Sequence, residues 1–206
     1  MKRYESLQAI APLMKDELFV TSAGGATAEW EAVRPSDANL QVKTLGLCSS
    51  IGLGLAVSLP HRKVVVFDGD GALWMNLGSL ATIGLHQPKN LIHICWDNRQ
   101  YESSGGEPTA STAQNINFAG VAREAGVHSS RQVEDLEQLE EAVSHALGTD
   151  GPHFIWAIIE AGRTPVPPLR FDELENKYRF IRHVEELEGT SILRVAVPHS
   201  YAQEHR

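Results

Sequence analysis

Apolar residues recur at helical spacing at Leu7, Ile10, Leu13, Met14 and Leu18, which predicts an amphipathic helix over 5–17 followed by a short strand at Leu18–Thr21. Ser22-Ala23-Gly24-Gly25 then interrupts the pattern, and a turn at the carboxyl end of a strand is where open α/β sheets place ligand contacts. Short apolar runs near Leu40–Leu45 and at Lys63–Phe67, Leu91–Trp96, 127–132 and 153–159 predict strands. Between them lie helical patterns at Ser49–Leu59, about Leu73 to Leu85, 117–125 and 134–147. Continuously apolar strands alternating with helices belong to parallel sheets buried on both faces. The expected class is therefore α/β, a doubly wound, mostly parallel sheet with helices on both faces.

Two segments depart from this alternation. Asp97–Asn115 is polar, contains glycine and lacks periodicity, and it exceeds the usual connection between elements, as functional loops do. After Ala161 the prolines of RTPVPPLRF end the sheet pattern, and 172–187 reads as a charged helix. The expected organisation is a ligand-binding α/β domain over 1–162 and a proline-containing linker with a helical tail over 163–206. The tail is expected to pack outside the main domain or on a partner.

Composition narrows the function classes. Hydrophobic residues make up 42% and charged ones 21% of the 206 residues, an ordinary folded composition. The net charge is −8 and no Lys/Arg-rich run could track a phosphate backbone, which argues against nucleic acid as a partner. Cys48 and Cys95 sit in apolar segments without metal-site or redox spacing and read as buried free thiols. No segment resembles a signal peptide or approaches a membrane span, so no membrane partner and a cytoplasmic location are expected. His61, His86, His93 and His128 occur singly and read as surface or satisfied structural histidines.

The chemistry concentrates where VVVF runs into Asp68-Gly69-Asp70-Gly71. Glycines on both sides of Asp70 let the backbone approach a bound group, and a strand, a glycine turn and a helix start together suit a phosphate or diphosphate. A carboxylate there would repel that phosphate unless a divalent cation stood between them. Mg2+ takes several oxygen donors, and Asp97-Asn98 at the end of the next strand is the nearest further source. Taken alone, the turn reads equally well as a plain strand-to-helix connection with an N-cap. Asp68 reads as a turn residue.

Gly69-Asp70-Gly71, then 25 residues, then Asp97-Asn98 resembles the two-part thiamine diphosphate motif. LGLCSSIGLGLAVSLPHRKVVVFDGDGALWMNLGSLATIG and DNRQYESSGGEPT extend the resemblance to thiamine diphosphate-dependent decarboxylases, specifically the diphosphate-binding β subunit of sulfopyruvate decarboxylases and the matching domain of phosphonopyruvate decarboxylases. It covers roughly residues 1–160. The resemblance implies Mg2+ coordination by the side chains of Asp70 and Asn98 and the carbonyl of Gln100. It places Gly69, Gly71, Ala72 and Leu73 around the diphosphate, and Tyr101 beside the cofactor. Leu45 would prop the cofactor in a bent conformation, with the carbonyl of Lys43 and the neighbouring Thr44 facing the aminopyrimidine. Ser103 and Ser104, just beyond the implied metal site, would either meet the substrate as catalytic residues or only order the loop. Lys43-Thr44 stands where these families carry glycine and serine, and Glu107 where glutamine is usual.

The same resemblance implies a missing half. A glutamate that activates the aminopyrimidine sits on a separate pyrimidine-binding domain in these families, and 206 residues leave no room for one beside this domain. The expectation is a hetero-oligomer in which an α-type pyrimidine-binding subunit supplies that glutamate, and a small anionic 2-oxo acid is decarboxylated. A carboligase subunit and a non-catalytic cofactor-binding regulatory subunit are the competing readings.

Overall fold

The computed structural model describes residues 1–111 and 116–193; the end of the predicted long loop and the last part of the predicted tail lie outside them. In chain order the elements begin α1 (Arg3–Ile10), β1 (Leu18–Ser22), α2 (Gly25–Val33), β2 (Asn39–Val42), α3 (Cys48–Ser58) and β3 (Val64–Gly69). They continue α4 (Asp70–Met75), α5 (Gly78–His86), β4 (Leu91–Asp97), β5 (Gln100–Tyr101) and β6 (Glu107–Pro108). The rest are α6 (Phe118–Glu124), β7 (Ser129–Val133), α7 (Leu136–Gly148), β8 (His153–Ile158) and α8 (Glu173–Glu188).

Six strands form one sheet in the order β2-β1-β3-β4-β8-β7, every neighbouring pair parallel. The continuously apolar runs become its centre: all of β4 and all but the last residue of β3 are buried, as strands covered on both faces must be. Phe19, Trp30, Phe67 and Trp96 pack ring to ring at centroid distances of 4.8–6.0 Å. That cluster lies under the carboxyl end of β3 and β4 and stiffens it. Both cysteines are free and fully buried, as expected, and burial pushes both thiols well above their ordinary range.

The sequence pattern and the structure part company in four places. The first helix stops at Ile10 and continues only as a 3-10 turn over Ala11–Leu13, because Pro12 lacks the N–H that an α-helix needs there. The helix expected from Leu73 starts at Asp70 and divides at Asn76-Leu77, where the Asn76 side chain donates to Gly46 O and Ser50 Oγ. β2 ends at Val42, short of the predicted Leu45. Helix α2 was not expected at all: it opens on Gly25 and buries Glu29 and Glu31 on its inner face, which erases the apolar periodicity.

The tail helix α8 covers the sheet's β2 edge. Asn176 is 3% exposed; its amide donates to Asn39 O and its carbonyl accepts from Gln41 N–H, so a side chain replaces the missing neighbouring strand. Among the described residues no helix is long and apolar enough to cross a membrane.

Helix α5 meets the turn after α6 through bare backbone. A Cβ on Gly84 would overlap the Ala125 carbonyl oxygen and stand 2.9 Å from its carbon. Backbone atoms cannot swing aside, so Gly84→Ala is expected to cost about 2 kcal/mol or more. A denaturant melt shows this as a lower midpoint with an unchanged slope.

Strand order locates the site. From β1 the chain steps to β2 on one side and to β3 on the other, so the direction of winding reverses between β1 and β3. Ligands of open α/β sheets bind outside the carboxyl ends of the strands at such a switch point.

Candidate functional site

The turn Ser22–Gly25 after β1 and the turn Asp68–Ala72 after β3 line a single cleft, joined by the end of β4 and the loop beyond it. Its space, open to solvent, is about 510 Å³, the size of a small-molecule site.

Asp70 is the first residue of α4 and 2% exposed. Thr109 Oγ1 donates to its Oδ2 at 2.6 Å, Ser111 Oγ lies 3.3 Å from the same oxygen, and the two hydroxyls are 2.8 Å apart. Burial pushes the Asp70 carboxyl up to about 7; the Thr109 bond works against that rise and the neighbouring Asp97 charge adds to it. Those hydroxyls fix the carboxylate without neutralising it. A bound cation would hold it ionised.

Asp97 serves as frame. Its Oδ1 accepts from Arg99 N–H at 2.9 Å and its Oδ2 from Trp156 Nε1 at 2.8 Å, so each oxygen is held by one donor from the scaffold. Arg99 takes a left-handed φ of 61°, so the chain turns sharply just after Asn98, which lines the cleft. Asn98 Oδ1 accepts from Gln100 N–H at 3.0 Å and keeps a second lone pair. Among the described residues no three His, Cys, Asp or Glu side chains gather as a metal cluster; the oxygen donors brought together here are one carboxylate, one amide and a backbone carbonyl.

The Tyr101 ring lies against Gly71, where a Cβ would stand 2.5 Å from its Cδ1. Only glycine admits that ring. Below, Asp68 Oδ1 accepts from Gly69 N–H, while Asp68 Oδ2 and Trp96 Nε1 are buried in residues of the cleft lining without a hydrogen-bond partner among the described residues. Such orphans are uncommon in native interiors and fit a site built for a polar ligand. His93 corrects one expectation: it is 2% exposed, 3.5 Å from Asp68 Oδ2, and among the described residues neither ring nitrogen has a hydrogen-bond partner.

Of the residues singled out in the sequence, Leu45, Gly69, Asp70, Gly71, Ala72, Asn98, Gln100, Tyr101, Ser103 and Ser104 line this one cleft. Leu73 points into the core, fully buried, and Lys43 and Thr44 are exposed outside the lining. Sequence reasoning missed Arg3, Trp96, Thr109 and Ser111. The two hydroxyls carried a faint signal, spaced two apart beyond the glycine pair; Arg3 carried none, being far from the motif in sequence.

Set against known proteins, residues 29–157 match the family described as thiamine pyrophosphate enzyme, C-terminal TPP binding domain. The chain is 36% identical over 185 residues to sulfopyruvate decarboxylase subunit beta of Methanothermobacter thermautotrophicus, covering 89% of this chain and 96% of that one. It is 37% identical over 154 residues to phosphonopyruvate decarboxylase of Streptomyces viridochromogenes, covering 74% of this chain and 38% of that protein. It thus spans nearly all of the separate beta subunit and well under half of the single-chain relative. Among solved structures, benzoylformate decarboxylase from Polynucleobacter necessarius superposes with a TM-score of 0.65 at 19% identity, over 82% of this chain and 34% of that one, a likeness of fold.

Proposed function

Since the chain belongs to the thiamine pyrophosphate enzyme family, as a C-terminal TPP binding domain, we propose that it is the thiamine diphosphate- and Mg2+-binding subunit of a hetero-oligomeric 2-oxo acid decarboxylase. Its substrate would be a small anionic acid of the sulfopyruvate or phosphonopyruvate kind. The observation that carries this reading is the buried, uncompensated Asp70 brought into one switch-point cleft with Asn98 from the neighbouring strand end.

The residues present fit the cofactor. Asp70 and Asn98 side-chain oxygens and the Gln100 carbonyl would hold Mg2+, and the glycine-flanked turn Gly69–Leu73 would receive the diphosphate, with the Ala72 and Leu73 N–H groups, in the first turn of α4 where a helix makes no intrahelical bonds, as its donors. Leu45 gives the cleft an apolar wall, and the exposed Ser103 and Ser104 would orient the 2-oxo acid by hydrogen bonds. When bound, thiamine diphosphate supplies a carbon nucleophile and an electron sink for the loss of CO2.

Two observations support a partner. Among the described residues Glu102 is the only glutamate lining the cleft, and its Oε2 is engaged by both Arg3 and Arg163. That leaves the activating glutamate to come from an α-type subunit carrying the pyrimidine-binding domain. The segments 44–59 and 71–85, which reach the cleft at Leu45 and at Gly71–Ala72, contain no charged residue, yet Leu47, Val57, Met75 and Leu85 are exposed in them. Exposed apolar side chains on uncharged segments are what a subunit interface uses.

The test is co-purification from the native source followed by assay. The isolated chain is expected to bind thiamine diphosphate only with Mg2+ and to release no CO2 from sulfopyruvate or phosphonopyruvate; adding the co-purifying subunit restores turnover. Full activity of the chain by itself would sink the partner assignment. Binding of cofactor that ignores Mg2+ would sink the metal assignment.

A further inference from the structure

One wall of the cleft is held by a set of charges that the proposed chemistry does not use. Glu102 Oε2 lies 3.2 Å from Arg3 Nη2 and 3.2 Å from Arg163 Nε, while Arg163 Nη2 donates to Ser103 Oγ at 3.0 Å. Arg3 is 6% exposed, and its Nε donates to Glu29 Oε2 at 2.8 Å. Glu29, 1% exposed, accepts the Thr164 N–H on its other oxygen at 2.9 Å. Four segments far apart in sequence therefore meet at the turn Glu102–Ser104: the chain start, α2, the turn itself and the strap after β8.

The β1 turn is shaped around this knot. A Cβ on Gly25 would overlap the Arg3 guanidinium and stand 3.1 Å from Glu102 Oε2, and one on Gly24, whose φ is +102°, would stand 2.5 Å from Ser103 Oγ. The other oxygen of Glu102, Oε1, is buried without a partner among the described residues. The carboxylate is thus placed through Oε2 alone, by two guanidiniums. Two carboxylates and two guanidiniums cancel, so Glu102 stands in the wall of an anion-binding cleft without opposing the anion.

We infer that Arg3 and Arg163 act through Glu102 as positioning residues, clamping the turn Glu102–Ser104 as a cleft wall and so setting the affinity of the cleft for its ligand. The inference deepens the proposed function and rests on the cleft being the cofactor and substrate site. Arg163 is 44% exposed, so its pairing adds little to global stability; its effect is on one turn.

The test uses the full chain with Arg163→Gln, Arg163→Lys, Glu102→Gln and the double variant Glu102→Gln/Arg163→Gln. Arg3→Gln alone would strand the buried Glu29, so it is paired with Glu29→Gln. Amide exchange over 100–106 is expected to speed up about fivefold or more in Arg163→Gln, Glu102→Gln and the Arg3/Glu29 pair, with the unfolding midpoint held within about 2 °C for the first two. Arg163→Lys keeps the slow exchange, and the double variant falls short of the sum of Glu102→Gln and Arg163→Gln, because the Glu102–Arg163 pairing is lost in both and only the Arg163–Ser103 bond is lost in addition. With the partner present, KM rises about fivefold or more while kcat stays within about twofold. Unchanged exchange at 100–106, or effects that add in the double variant, would overturn the clamp. If the unaltered chain fails to bind thiamine diphosphate, the cofactor reading falls while the exchange data still decide the clamp.

Discussion

Asp70→Asn is expected to make the metal-free protein more stable at about pH 8 and to abolish its stabilisation by Mg2+. The carboxyl is held at about 7 in the folded chain, chiefly by burial, against an ordinary value of 3.8. A raised carboxyl binds its proton more tightly in the folded state, so without metal its contribution is most favourable below the unfolded value and is lost as pH climbs through about 4 to 7. A shift of that size is worth on the order of a few kcal/mol. The asparagine variant keeps an oxygen for the Thr109 hydroxyl at that place but has nothing to titrate, so the falling slope between those values should flatten. In the parent protein Mg2+ should remove the same slope by holding the carboxylate ionised, with thiamine diphosphate adding to the gain. Thermal melts across pH, with and without Mg2+, read all of this. If Mg2+ raises the midpoint of the variant as much as that of the parent, Asp70 is not a ligand. Partner-dependent decarboxylation should fall by about two orders of magnitude or more, since the diphosphate would then face the cleft without its cation.

What the sequence disclosed was whatever is local. Asp70, its two glycines and Asn98 were legible because strand, turn and the next strand end follow one another within thirty residues or so, and a parallel register brings β3 and β4 side by side. Partners from elsewhere were not. Thr109 and Ser111 reach Asp70 only because the small β5-β6 hairpin folds the loop back over α4. Arg3 reaches the cleft from the first turn of the chain, through contacts with α2 that no periodicity announced. That helix was itself hidden by what it does: Glu29 and Glu31 occupy inward positions to bind Arg3 and Arg170, so the pattern that normally marks a buried helix face is replaced by paired charges. His93 escaped for a related reason. A lone histidine in an apolar strand gives no sign of whether its nitrogens will find partners, and among the described residues they find only Asp68 at 3.5 Å.

Leu47→Glu and Met75→Glu are expected to separate the chain from its partner without unfolding it. Leu47 and Met75 are 43% and 55% exposed, so neither contributes much to the chain's own core, and a carboxylate at either place stays hydrated in the free subunit. The surrounding surface over 44–59 and 71–85 offers no basic residue to pair with it, and burying an unpaired charge at an interface costs several kcal/mol, enough to weaken association by about three orders of magnitude. Leu47 precedes α3 and Met75 ends α4, the helix that carries Asp70, so a subunit seated there also closes the cleft. Sedimentation of the mixed subunits should therefore show two free species for each variant. Decarboxylation should disappear with the complex and return in part at high partner concentration, while the unfolding midpoint of the isolated chain stays within about 2 °C of the parent. A complex that survives both substitutions would move the interface to another face and leave this uncharged surface without a role in assembly.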